Sequence, residues 1–196
     1  MLRPHPVSFL QLGLFRTIVF VGAIALLRAI GRSSDRGAAA KRSGLSTAGI
    51  ALQAVGFGLT GFGDLHLSLP WSAPSSILCS VLVVLLGGSA LAIFIAATRA
   101  MGKNWSVVAR TRSDHQLVRN GPFAVVRHPI YLALFLYLLS FGIAFGHFVQ
   151  LIAATPFYLA GAAIRVREEE KLLRAQFGDE HARYVREVPA FIPFIG

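Results

Sequence analysis

The 196-residue sequence predicts an all-α fold, an integral membrane helical bundle of about five transmembrane helices. Three observations predict it. The first is composition: 55% of the residues are apolar, mean hydropathy is +0.62 and only 14% are charged, against about 25% charged in an ordinary soluble domain. The second is a series of apolar runs approaching the roughly 20 residues that a helix needs to cross a bilayer. The third is the grouping of the basic residues, which accumulate on the cytoplasmic side of membrane proteins.

The first predicted span is residues 9–30. Its run is too long for a secretory leader, Arg16 interrupts it, and no small-residue cleavage site follows before a basic stretch. Residues 32–44, rich in Ser, Gly and Ala, read as a loop. The second span, residues 46–65, is weakened by its many glycines, and the third is residues 75–98. The fourth, residues 129–145, and the fifth, residues 148–164, are joined by a tight Gly146-His147 link. The helical pattern of the fifth runs on through Arg165 and Glu168 to Glu170 as far as Phe177-Gly178, where glycine is expected to end it.

Of the 19 basic residues, five lie from Arg28 to Arg42, six from Arg99 to Arg127 and six from Arg165 to Arg186. Five spans bring all three groups to one side and leave Arg3 and two nearly uncharged links on the other. The amino terminus is then outside and the carboxyl terminus cytoplasmic, in an inner (plasma) membrane of prokaryotic type. The net charge of +10 raises the question of nucleic acid. Its basic residues are juxtamembrane and lack aromatic interleaving, so lipid headgroups are the simpler partner and no nucleic acid is expected. Cys79 stands alone and forms no intramolecular disulfide.

Residues 1–98 supply spans and linkers but little chemistry, and Asp64 and His66 there read as interfacially solvated groups. Residues 99–196 carry the rest. Trp105 suits an interfacial anchor, with Asn104 and Ser106 offering hydrogen bonds. Asn120-Gly121-Pro122 reads as a turn. Pro129 fits the first turn of a helix with His128 near its N-cap, and the positive end of that helix suits an anionic group such as an amino-acid carboxylate. Arg165 and Glu169, four apart, share a helix face where bilayer gives way to cytoplasm. An Arg there offers a planar fork to a carboxylate, and a Glu offers negative charge to an ammonium, a sulfonium or hydroxyls. Each residue also has a plain reading: a solvated Glu face with a minor salt bridge, Arg127 on lipid phosphate, Tyr131 in an interfacial belt. No metal site is expected, because His115 and His128 lack a Cys cluster or paired-His helix motif.

Order and spacing make these residues specific. His115-x-Leu117-Val118-x-x-Gly121-Pro122-Phe123-x-x-x-Arg127-His128-Pro129-x-Tyr131, then Glu168-Glu169-x-x-Leu172, Phe177-Gly178, Tyr184 and Val188-Pro189-x-x-Ile192-Pro193, resembles the isoprenylcysteine carboxyl methyltransferase family over residues 99–196. The resemblance implies a membrane methyltransferase that uses S-adenosyl-L-methionine and acts on a lipophilic or small-molecule acceptor. It implies that His115, Gln116, Leu117, Val118, Phe123, His128, Pro129, Ile130, Tyr131 and Glu169 line the cofactor and that Arg165 faces the acceptor. It also implies that residues 188–195 fold back to close the pocket. Phe123 stands where many members have tyrosine. Two other activities share parts of this layout: phospholipid amine N-methylation, and NADPH-dependent reduction by membrane reductases of related architecture.

Overall fold

A computed structural model describes residues 5–32, 41–42, 44–102, 105, 110–111 and 116–191. Among them are five helices: α1 (Phe9–Arg32), α2 (Gly44–Gly61), α3 (Pro74–Met101), α4 (Pro129–Phe145) and α5 (Phe148–Glu187). Two short strands, β1 (Lys41–Arg42) and β2 (Arg110–Thr111), pair antiparallel with Lys41 opposite Thr111. By length and composition α1, α3 and α5 can each cross a membrane, and α4 is a shorter apolar helix of 17 residues. The second predicted span is cut short. α2 stops at Gly61, and the chain beyond it turns to pair Leu67 with Val7.

The helices alternate in direction, so two ends of the bundle differ in chemistry. At one end the chain before α1 meets both uncharged links: Val7 N–H donates to His66 O at 2.8 Å and His5 N–H to Gly146 O at 3.1 Å. His147, fully buried there, faces the carbonyl oxygens of Thr60 at 2.8 Å and Asp64 at 3.2 Å. The other end holds the close of α1 and α3, the starts of α2 and α4, and the β1–β2 pair that ties two basic links together. This is the end toward which the described members of the three basic groups lie.

Outward-facing side chains such as Phe20, Leu27, Leu85, Ile152 and Leu159 are large, apolar and exposed, as on a surface solvated by lipid. Between helices the contacts combine aromatic packing with small residues and single polar bonds. Phe15 of α1 stacks on Phe141 of α4 at 5.4 Å, and Ser140 donates to the Val83 carbonyl at 3.1 Å, joining α4 to α3. α2 and α5 approach each other closely. A Cβ added to Gly161 would lie 2.6 Å from Gly49 O, and one added to Gly56 would lie 3.1 Å from Ala154 O. Backbone faces backbone there, so Gly161→Ala is expected to push α2 away and to lower stability by about 1–3 kcal/mol. Thermal unfolding in detergent reads this, and an unchanged midpoint would mean the two helices do not meet at Gly161.

α5 is broken at Gly178, where its sequence suggests an end. Gly178 takes φ 49 and ψ −118, outside the helical range, and the helix resumes to Glu187. Only the kink needs glycine, whose missing Cβ makes positive φ accessible. The bend turns the last helical turns back toward α4.

Candidate active site

α4 begins where its sequence places it. His128 is the N-cap residue with φ −124 and ψ 57, Pro129 follows in the first turn, and no side chain caps the helix. Before it, the turn at Gly121 (φ 59) leads into a 3-10 turn over Gly121–Ala124, and Tyr184 donates from its hydroxyl to the Phe123 carbonyl at 2.7 Å. Burial pushes the Tyr184 hydroxyl up to about 12, so it remains a donor.

Glu169 and Glu170, adjacent on α5, organise the residues at the start of α4. Glu170 Oε1 accepts from Arg127 Nε at 3.0 Å and lies 3.0 Å from His128 Nε2. The His128 hydrogen bond, aided by the Arg127 guanidinium and opposed by burial, holds the Glu170 carboxyl near about 2, well below its ordinary range. A carboxylate only accepts, so His128 carries its proton on Nε2. Glu169 accepts from the Tyr131 hydroxyl, and its carboxylate lies 3.8 Å from Arg165 Nη2 and 3.8 Å from His128 Nδ1. Arg165 also sits over the Tyr131 ring at 5.1 Å. His128, Tyr131, Arg165 and Glu169 therefore form one cluster, with Pro129 buried within the same turn.

The chain after α5 folds back onto this cluster. Arg127 N–H donates to Pro189 O at 2.9 Å, His128 N–H donates to Ala190 O at 3.1 Å, and the Phe191 ring lies 5.7 Å from the His128 ring. Residues 192–195 lie outside the described residues, as does His115. Gln116, Leu117 and Val118 occupy non-helical chain before the 3-10 turn, Gln116 exposed and the other two half-buried. Their part in a cofactor site, like that of Phe123 and Ile130, rests on the resemblance.

Three plain readings change. Arg127 is not a lipid contact: its Nη1 donates to the carbonyls of Val185 and Val188, so it ties the end of α5 to the start of α4. Trp105 is buried edge-on against Phe94 at 6.4 Å and is not an exposed interfacial anchor; Asn104 and Ser106 lie outside the described residues. The solvated-face reading suits none of the three glutamates: Glu168, which pairs with exposed Lys171 at 2.7 Å, is itself only 13% exposed. Two contributors escaped the sequence reading. Glu170 was hidden inside the acidic run. Gln53 of α2, buried, accepts at Oε1 from Arg165 Nη1 at 3.4 Å, and its one signal was an amide inside an apolar span. Among the described residues no group of three His, Cys, Asp or Glu can hold a metal ion.

These features define an integral membrane helical protein with its ionisable residues gathered where α4 begins and α5 leaves the apolar zone. Residues 80–175 match the family model described as "Isoprenylcysteine carboxyl methyltransferase (ICMT) family". The chain is 34% identical over 89 residues to a protein-S-isoprenylcysteine O-methyltransferase of Schizosaccharomyces pombe, covering 45% of this chain and 38% of the relative. It is 33% identical over 95 residues to the cobalt-zinc-cadmium resistance protein CzcN of Cupriavidus metallidurans, covering 47% of this chain and 43% of the relative. The chain thus spans less than half the length of these two relatives. Its fold is similar to that of the solved eukaryotic intramembrane Ras methyltransferase ICMT, with a TM-score of 0.52 and 21% identity over 79% of this chain and 54% of that one.

Proposed function

We propose that this chain is an integral membrane methyltransferase that moves a methyl group from S-adenosyl-L-methionine to a nucleophile on a lipophilic acceptor, with an S-isoprenylcysteine carboxylate as the first acceptor to test. The observation that carries the reading is that Glu169 joins Tyr131 and Arg165 at the start of α4, inside the family-matched segment. The donor set fits the cofactor. The start of α4, without a side-chain cap, suits the carboxylate of an amino-acid moiety, and Glu169 suits an ammonium or ribose hydroxyls.

When bound, S-adenosyl-L-methionine supplies an activated methyl group that an aligned nucleophile takes in line. The protein's share is alignment and exclusion of water. Glu170 and Arg127 hold His128 and the folded-back chain over the start of α4, which keeps solvent from that side. Arg165 presents its guanidinium to the acceptor 17 residues into α5, about 26 Å along the axis and so near the edge of the hydrocarbon layer. An apolar cleft of about 320 Å³ between α1, α3 and α4, lined by Ile18, Gly22, Leu91, Phe94, Leu134 and Tyr137, is suited to a hydrocarbon tail. Leu134 lies three residues beyond Tyr131, so the cleft and the polar cluster meet on one helix. The basic end of the bundle is assigned to the cytoplasm of a prokaryotic inner membrane.

Glu169→Ala is expected to weaken S-adenosylhomocysteine binding by about tenfold, because one charge-assisted hydrogen bond is worth about 1.5–3 kcal/mol. Calorimetry on purified protein reads this, and an unaltered Kd removes Glu169 from the cofactor site. Label recovered in methylated headgroup lipids would point to amine methylation instead. Stabilisation by NADPH but not by S-adenosylhomocysteine would point to a reductase.

A further inference from the structure

Arg165 is held from outside its own helix. Gln53, on the half of the chain that carries almost no other chemistry, is 5% exposed and accepts from Arg165 Nη1 at 3.4 Å. Glycines make the approach possible. A Cβ at Gly161, one helical turn before Arg165, would lie 2.9 Å from Gln53 Cγ, and a Cβ at Gly49, one turn before Gln53, would lie 2.5 Å from Arg165 Cγ. Each long side chain crosses the neighbouring helix where that helix has no side chain. Among the groups that place the guanidinium are Gln53 on α2, the Tyr131 ring on α4 and Glu169 on α5.

Chemically, the amide differs from the other residues that could stand there. An apolar side chain would fill the space and leave a guanidinium N–H without its acceptor, which is expensive where water is scarce. A carboxylate would accept the bond but add a second negative charge beside Arg165, which already has Glu169 at 3.8 Å. An amide oxygen fixes the direction of the guanidinium and leaves its charge unspent.

We propose that Gln53 is a positioning residue for Arg165, holding the guanidinium from α2 in the orientation that meets the methyl acceptor without neutralising it. The inference rests on the acceptor role given to Arg165 above, and it extends the functional site beyond the family-matched residues into the first half of the chain. The test is steady-state methyl transfer from S-adenosyl-L-methionine to an S-isoprenylcysteine by the full chain in liposomes, with S-adenosylhomocysteine binding and thermal midpoint measured in parallel. Gln53→Glu is expected to raise the acceptor KM about tenfold or more while the Kd for S-adenosylhomocysteine stays the same. Gln53→Leu, which keeps the packing, is expected to lower kcat/KM for the acceptor by a similar factor with the same unaltered Kd. A purely structural Gln53 would move the thermal midpoint and leave acceptor KM and kcat alone, and that result overturns the proposal. If Gln53→Glu does not assemble in the membrane, Gln53→Leu decides by the same criterion. Normal transfer by the unaltered chain with normal kinetics in the variants defeats the Gln53 role alone, whereas no transfer by the unaltered chain defeats the methyltransferase reading with it.

Discussion

Arg165→Ala is expected to lower methyl transfer by about 100-fold or more while leaving S-adenosylhomocysteine binding measurable. Removing one partner from a desolvated charged contact costs about 2–5 kcal/mol, and each 1.36 kcal/mol at the transition state is about a factor of ten in rate. The loss should fall on the acceptor side, because Arg165 meets Glu169 at 3.8 Å, a longer contact than the Tyr131 hydrogen bond that Glu169 retains without it. Arg165→Lys separates charge from shape. It keeps the cation but loses the planar fork that reaches Gln53 and lies over the Tyr131 ring, so it should recover only part of the rate. Initial rates with a defined acceptor, beside calorimetry, read both variants. Turnover equal to that of the unaltered protein would remove Arg165 from the reaction.

Glu170→Gln is expected to destabilise the fold by about 1–3 kcal/mol, the cost of leaving partly buried charged donors without their acceptor. Arg127 and His128 both depend on Glu170, and through Arg127 so do the end of α5 and the chain folded back beyond it. The same contact sets a pH dependence. Glu170 is held near about 2 against an ordinary 4.5, so its folded-state pKa is depressed. Its contribution is then full above about pH 4.5 and is lost as pH falls toward 2. Melting curves in detergent across that window should show a smaller acid-induced fall for Glu170→Gln than for the unaltered protein. Parallel curves would mean that Glu170 does not carry the contact.

Much of this architecture was legible because hydrophobic runs and basic clusters are read along the chain. The start of α4 was legible for a similar reason: Pro129 fits a first helical turn from local chemistry alone. The Arg165–Glu169 pairing followed from helical spacing. What escaped depends on contacts between distant segments. Nothing near Gln53 reveals that α2 lies against α5 closely enough for its amide to reach Arg165, since that approach depends on Gly49 and Gly161 facing one another. Arg127 looked like a lipid contact because the carbonyls it binds lie about 60 residues later, beyond a kink that only Gly178's φ creates. Glu169 and Glu170 are neighbours in sequence, and only the placement of α4 gives one to Tyr131 and the other to His128 and Arg127.

Methyl transfer at the end of the bundle where α4 begins can be assayed outright. The purified chain, reconstituted in liposomes, is incubated with S-adenosyl-L-methionine labelled in its methyl group and an S-isoprenylcysteine, and label is counted in the extracted acceptor. Base-labile label is expected in the acceptor, dependent on the protein and reduced about 100-fold by Arg165→Ala. Label absent from the acceptor and from every lipid fraction, with the protein folded and in the membrane, would contradict it.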